Sequence, residues 1–167
     1  VPRVLIVTGE PGIGKSRLLR EIRTMARGEQ FEIGAGRAFD QVALPYAPVT
    51  SALEPLLRGL DEREASGFGG VLAHLRGTAP PETDAMAAGF TARTSTERSR
   101  LFDGATELLL RAASRRPTLL TLDDLHWADA ASLDLLAHVV VALSARCESE
   151  AVPLLIVLIA VWQGVGS

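Results

Sequence analysis

The chain alternates between short, wholly apolar runs and longer stretches in which apolar residues recur every three or four positions. "VLIVT" (4–8) and "LLIVLIAV" (154–161) are continuous and rich in β-branched residues, the pattern of strands buried on both faces. "FEIGAG" (31–36) reads as a weaker strand, and "PTLLTLDD" (117–124) as a strand ending on two acids. Between them the period changes. Residues 15–27 place Leu18, Leu19, Ile22 and Met25 at helical spacing and stop at Gly28. Residues 48–60 carry Leu53, Leu56, Leu57 and Leu60 on one stripe. Residues 96–115 read as a helix with an N-cap at Ser95 or Thr96, and 129–145 as another. Residues 61–94, broken by "GFGG", "GTAPP" and "AAGFT", read as a variable insert with one short helix near 71–75. No internal repeat is visible. Strands alternating with helices predict an α/β fold with a parallel sheet covered on both faces.

Composition narrows this picture without changing it. At 167 residues the chain suits one domain with a full core, and 47% apolar with 22% charged residues is ordinary for a globular protein. A net charge of −3 gives no overall attraction to nucleic acid or anionic lipid, so direct nucleic-acid binding is not expected. The longest apolar run, residues 151–162, is 12 residues with a proline inside, too short for a membrane span. No basic segment precedes an apolar stretch near the start, so a signal peptide is not expected. The single cysteine, Cys147, excludes an internal disulfide and fits a reducing, cytoplasmic setting.

Charge matters at one place. The chain has 17 basic residues, and Lys15 is the only lysine among them. It sits in "GEPGIGKS" (9–16), immediately after the first strand and at the start of a helix, which fits the phosphate-loop pattern G-x-x-x-x-G-K-[ST]. Holding a polyphosphate takes several backbone N–H groups turned inward, which glycine permits without strain. The helix N-terminus adds a positive dipole end. Lys15 would reach the β- and γ-phosphates, and the Ser16 hydroxyl would ligate Mg²⁺. A glycine-rich turn that only caps a helix would leave the lone lysine unexplained. A dinucleotide-binding fingerprint fails because Arg17 stands where its third glycine belongs.

The second cluster is "LLTLDDLHWAD" (119–129). An apolar strand ending in Asp123 suits a magnesium-binding carboxylate opposite Ser16. Asp124 stands where many phosphate-loop ATPases place a glutamate that orients the attacking water, with a side chain about one methylene shorter. Both acids could instead cap the following helix. Trp127 reads as a packing residue, and His126 as either a hydrogen-bonded structural histidine or a group facing the nucleotide. His74 and His138 lack partners at metal-ligand spacing. Arg115 and Arg116 read as a solvated turn, and no serine nucleophile elbow is present.

Together "VLIVTGEPGIGKSRLLREI", "PYAPVTSALEPLL" and "RPTLLTLDDLHWADAASLDLLAHV" resemble the AAA-type ATPase module of the STAND class, found in large LuxR-type bacterial transcriptional regulators and related signalling ATPases. The resemblance implies a three-layer αβα P-loop NTPase core over residues 1–167 with strand order 2-3-4-1. It implies an ATP-dependent molecular switch reset by slow hydrolysis to ADP. Gly9, Glu10, Pro11, Gly12, Ile13, Gly14, Lys15, Ser16 and Arg17 would surround the phosphates of ATP, Ser16 and Asp123 would hold Mg²⁺, and Asp124 with Lys15 would act in catalysis. Against the family pattern, the chain is expected to be a fragment: the segment before the first strand, the fifth strand and the helical lid are not in it. The family usually ends its fourth strand with a threonine, an aromatic residue and an arginine. Here that stretch is "LIAVWQGVGS", without arginine and with Gln163 as its polar residue. A nucleotide-binding scaffold without hydrolysis is therefore the competing expectation, while a small-molecule kinase is disfavoured because no arginine-rich lid follows. Partners would be ATP or ADP, a second copy, or regulatory domains of a parent protein.

Overall fold

The computed structural model describes residues 2–40, 44–78, 90–146 and 152–161. The strands are β1 (Arg3–Gly9), β2 (Glu32–Arg37), β3 (Thr118–Asp123) and β4 (Leu154–Val161); the helices are α1 (Lys15–Gly28), α2 (Ala47–Arg58), α3 (Glu62–Leu75), α4 (Phe90–Arg115) and α5 (Ala130–Arg146), with a 3-10 turn at Leu125–Trp127. The strands form one parallel sheet in the order β1-β4-β3-β2, which is the expected 2-3-4-1 taken from the other edge.

Alternation along the strands divides the core in two. On one face Leu119, Val157 and Ile159 meet Leu19, Ile22 and Ala26 of α1. On the other, Leu120, Leu122, Ile156 and Leu158 meet leucines of α2, α4 and α5, with Leu72 and Leu75 of α3 at the margin. Each leucine sealed in this way contributes about 2 kcal/mol of burial. β2 looked weak in sequence because it carries two glycines, and packing explains them. A Cβ on Gly34 would stand 2.3 Å from the Ala52 carbonyl oxygen, and one on Gly36 only 1.8 Å from that of Pro48. The backbone of α2 lies directly against β2, and only glycine allows it.

Several local expectations change. α3 is a 14-residue helix rather than a short helix near 71–75. Asp61 caps it, accepting from the Glu64 N–H at 2.9 Å, and that cap with buried Leu72 and Leu75 outweighs three helix-weakening glycines on its open side. α4 starts at Phe90, so Ser95 and Thr96 lie inside the helix and not at its cap. Asp129 is the cap of α5: the Ser132 N–H donates to its Oδ1 at 2.8 Å. In α1 the buried stripe is Leu19, Ile22 and Ala26, whereas Leu18 is 47% and Met25 71% exposed. Both stripes satisfy helical spacing; the one facing the sheet carries Arg23, whose hydrogen bond to β3 makes a polar residue acceptable there. Finally, β1 is not buried. It ends the described sheet, and Val4, Leu5 and Ile6 are 38%, 45% and 64% exposed.

Candidate functional site

The loop after β1 is built by backbone conformation. Gly12 and Gly14 have φ of +79° and +103°, a region where a side chain is strained, yet a Cβ at either would touch nothing within 4 Å. The glycines are there for their dihedrals, and the space around them is open. Gly14 caps α1 without a side-chain hydrogen bond, and no acid stands in the first turn. The first helical bond runs from the Leu18 N–H to the Gly14 carbonyl at 2.9 Å, so the N–H groups of Lys15, Ser16 and Arg17 precede the helical ladder. Lys15 folds back over the loop, its Nζ donating to the carbonyls of Gly9 at 2.8 Å and Glu10 at 2.7 Å. An ammonium has three donors, so one remains for an incoming oxygen. Ser16 and Arg17 are exposed at the helix start.

Asp123 ends β3, buried to 7% exposure, one residue past the Leu122–Leu158 pair. Its Oδ1 accepts the Asp124 N–H at 2.9 Å. β4 alone separates β3 from β1, so the loop and Asp123 share the C-terminal edge of the sheet, about 10 Å apart at ordinary strand spacing. The metal-ligating groups offered at this edge, the Ser16 hydroxyl and a buried carboxylate, are hard oxygens. They suit Mg²⁺, which prefers a few such ligands plus waters and phosphate.

Asp124 differs from its neighbour. It takes a left-handed conformation, φ 57° and ψ 38°, and opens the 3-10 turn without capping it by side chain. Arg37, at the end of β2, clamps its Oδ2 through both Nε and Nη2 at 2.7 Å. Arg37 in turn lies 5.6 Å over the ring of Phe39. Spacing along the chain does not mark Arg37 as a site residue; only the strand order implied by the family resemblance, with parallel pairing, sets it beside Asp123 in register.

His126 makes no structural hydrogen bond at Nδ1, which is shut from solvent and has no partner among the described residues. Its ring lies 5.0 Å from that of Trp127, which is 46% exposed and so is not a core packing residue. Arg115 is more than a solvated turn, since it pairs with Glu64 and with Asp61 at 3.2 Å. Those contacts raise the proton affinity of the guanidinium; the Asp61 carboxyl is held below its ordinary range, mainly by the Glu64 N–H. His138 meets Asp103 at 3.0 Å. Cys147 and Gln163 lie outside the described residues. No described helix is long and apolar enough to cross a membrane.

A parallel sheet whose first strand runs through a left-handed glycine loop into a helix without a side-chain cap, with a buried acid ending a strand two places away, defines a P-loop nucleotide-binding protein. The comparison with known proteins agrees: the chain belongs to the AAA ATPase domain family, which it matches over residues 1–157. It is also 31% identical, in an alignment 154 positions long that covers 81% of the chain, to an uncharacterised protein of Rhizobium meliloti (strain 1021). The chain spans 14% of the length of that relative.

Proposed function

We propose that this chain is an ATP-binding regulatory module that hydrolyses ATP slowly with Mg²⁺ and acts as a switch in signal transduction or transcription control. The observation that carries the reading is the convergence of the loop, with Lys15 folded over it, and buried Asp123 at one edge of the sheet. In this reading the backbone of residues 9–17 and the free Lys15 donor bind the phosphates. Ser16 and Asp123 hold the metal, which when bound neutralises charge on the phosphates. Asp124 orients water. The STAND and LuxR-type association rests on the likeness of "LDDLHWAD" and its flanks to that group.

A specific observation favours a second reading, a nucleotide-binding scaffold without turnover: Asp124 is already committed to Arg37 through a two-point clamp. Two measurements on the same sample separate the possibilities. Calorimetric titration with ATP and Mg²⁺ should show saturable binding, and its absence would overturn both readings. Steady-state phosphate release above a Lys15→Ala control supports the ATPase; binding with release no higher than that control supports the scaffold.

A further inference from the structure

Arg23 occupies a position that the amphipathic pattern of α1 reserves for an apolar side chain. It lies one turn after Leu19, between Ile22 and Ala26, and all three of those residues pack toward the sheet. Its Nε donates to Thr121 Oγ1 at 2.9 Å. Thr121 is fully buried, and its hydroxyl donates onward to the Gly34 carbonyl at 3.1 Å. With one bond accepted and one donated, the hydroxyl is fixed, and it fixes the guanidinium against β3.

Strand alternation makes this placement relevant to the site. Leu119 faces α1, so Thr121 and Asp123 face it too, as successive same-face positions about 6.6 Å apart. The guanidinium thus stands one side-chain position from the carboxylate assigned to the metal. Among the described residues Arg23 forms no ion pair. Burial disfavours its charge, the Asp123 carboxylate is the main influence that favours it, and Arg27 adds repulsion. A hydrogen bond from α1 to β3 needs no full charge, and an apolar residue would pack the stripe at lower desolvation cost. Packing therefore accounts for the position but not for the cation.

We propose that Arg23 sets the divalent-cation affinity of the site: its fixed charge, anchored on Thr121 beside Asp123, opposes a lone metal ion there, so the ion is retained with the phosphates of a nucleotide. This rests on the nucleotide and magnesium reading above. It adds a charge that neither the loop nor the acid pair contains.

The test uses Mn²⁺ as the probe, followed by the spectroscopic signal of the free aquo ion, with and without a non-hydrolysable ATP analogue. The proteins are the parent chain, Arg23→Met, Arg23→Lys and Thr121→Val. Removing the charge should tighten Mn²⁺ binding about tenfold in both conditions and make binding without nucleotide measurable. Arg23→Lys keeps a cation and should stay within about twofold of the parent. Thr121→Val removes the anchor but keeps the charge; it should lower the melting temperature and tighten Mn²⁺ binding by less than Arg23→Met does, because the guanidinium is no longer held beside Asp123. If Arg23→Met matches a parent that does bind Mn²⁺ with nucleotide, or if Arg23→Lys tightens binding as much as Arg23→Met, the assigned role falls while the site stands. If the parent retains no Mn²⁺ even with nucleotide, the magnesium reading fails and this one with it.

Discussion

Lys15 holds two loop carbonyls and keeps one donor free, so its removal acts on the ligand and on the shape of the loop. Lys15→Ala should weaken ATP binding about 10- to 100-fold, the range for losing charge-assisted hydrogen bonds of about 1.5–3 kcal/mol. Its melting temperature should stay near that of the parent, because the side chain faces the loop and not either core. Titration calorimetry beside a thermal melt checks both; equal affinities would remove the phosphate-loop assignment. The two acids are expected to separate. Asp123→Asn should abolish the Mg²⁺ dependence of nucleotide binding, whereas Asp124→Asn should spare binding and remove turnover. Arg37→Ala probes the clamp: the pair is substantially exposed on the arginine side and adds less than about 1 kcal/mol to stability, so the fold should survive. If the clamp restrains Asp124, phosphate release rises severalfold in this variant; a fall would mean that Arg37 positions the acid instead. At this scale the sequence spoke clearly where chemistry demands rare residues in fixed spacing, as at Gly12, Gly14 and the lone Lys15. It was silent on Arg37 and Arg23. Their roles depend on which strand lies beside which and on which side of α1 turns inward, and spacing along one chain does not encode either.

At the scale of elements, all four strands and their parallel pairing were legible because continuous apolar runs separated by helical stripes call for a parallel sheet covered on both faces, whereas the order of the strands came with the family resemblance. α3 was not legible, since its glycines count against a helix until the Asp61 cap and the burial of Leu72 and Leu75 are known. The same residue type carries opposite meanings in two elements, and this can be measured. Gly36→Ala drives a methyl group into the Pro48 carbonyl and the Leu122 side chain, forcing α2 off β2. A loss of about 2–3 kcal/mol in denaturant unfolding is expected, the usual scale for overpacking. Gly69→Ala, in the open side of α3 with nothing within 4 Å, should instead gain about 0.5–1 kcal/mol. Comparable losses at both positions would mean that α2 does not approach β2 as closely as described.

For the whole molecule the decisive asymmetry is β1. Its "VLIVT" run has the composition of a strand buried on both faces, yet it stands at the margin of the described sheet with Val4, Leu5 and Ile6 open. Composition therefore predicted what the strand prefers, and topology decided what it has. One side of its backbone pairs with β4, while the outer N–H and C=O groups form a row suited to another strand, blunted only by Arg3 at the start. The same strand leads into Gly9 and the phosphate loop, so a weakly supported β1 also means a weakly supported loop. The 167-residue chain is thus expected to self-associate through this edge and to bind nucleotide weakly while the edge is open. Sedimentation velocity over a wide concentration range should show concentration-dependent species. Ile6→Lys places a charge at the most exposed of the three apolar positions and should shift the chain toward monomer without moving Lys15 or Asp123. A parent that stays monomeric at all concentrations and binds ATP tightly would show that β1 needs no further partner to hold the loop in shape.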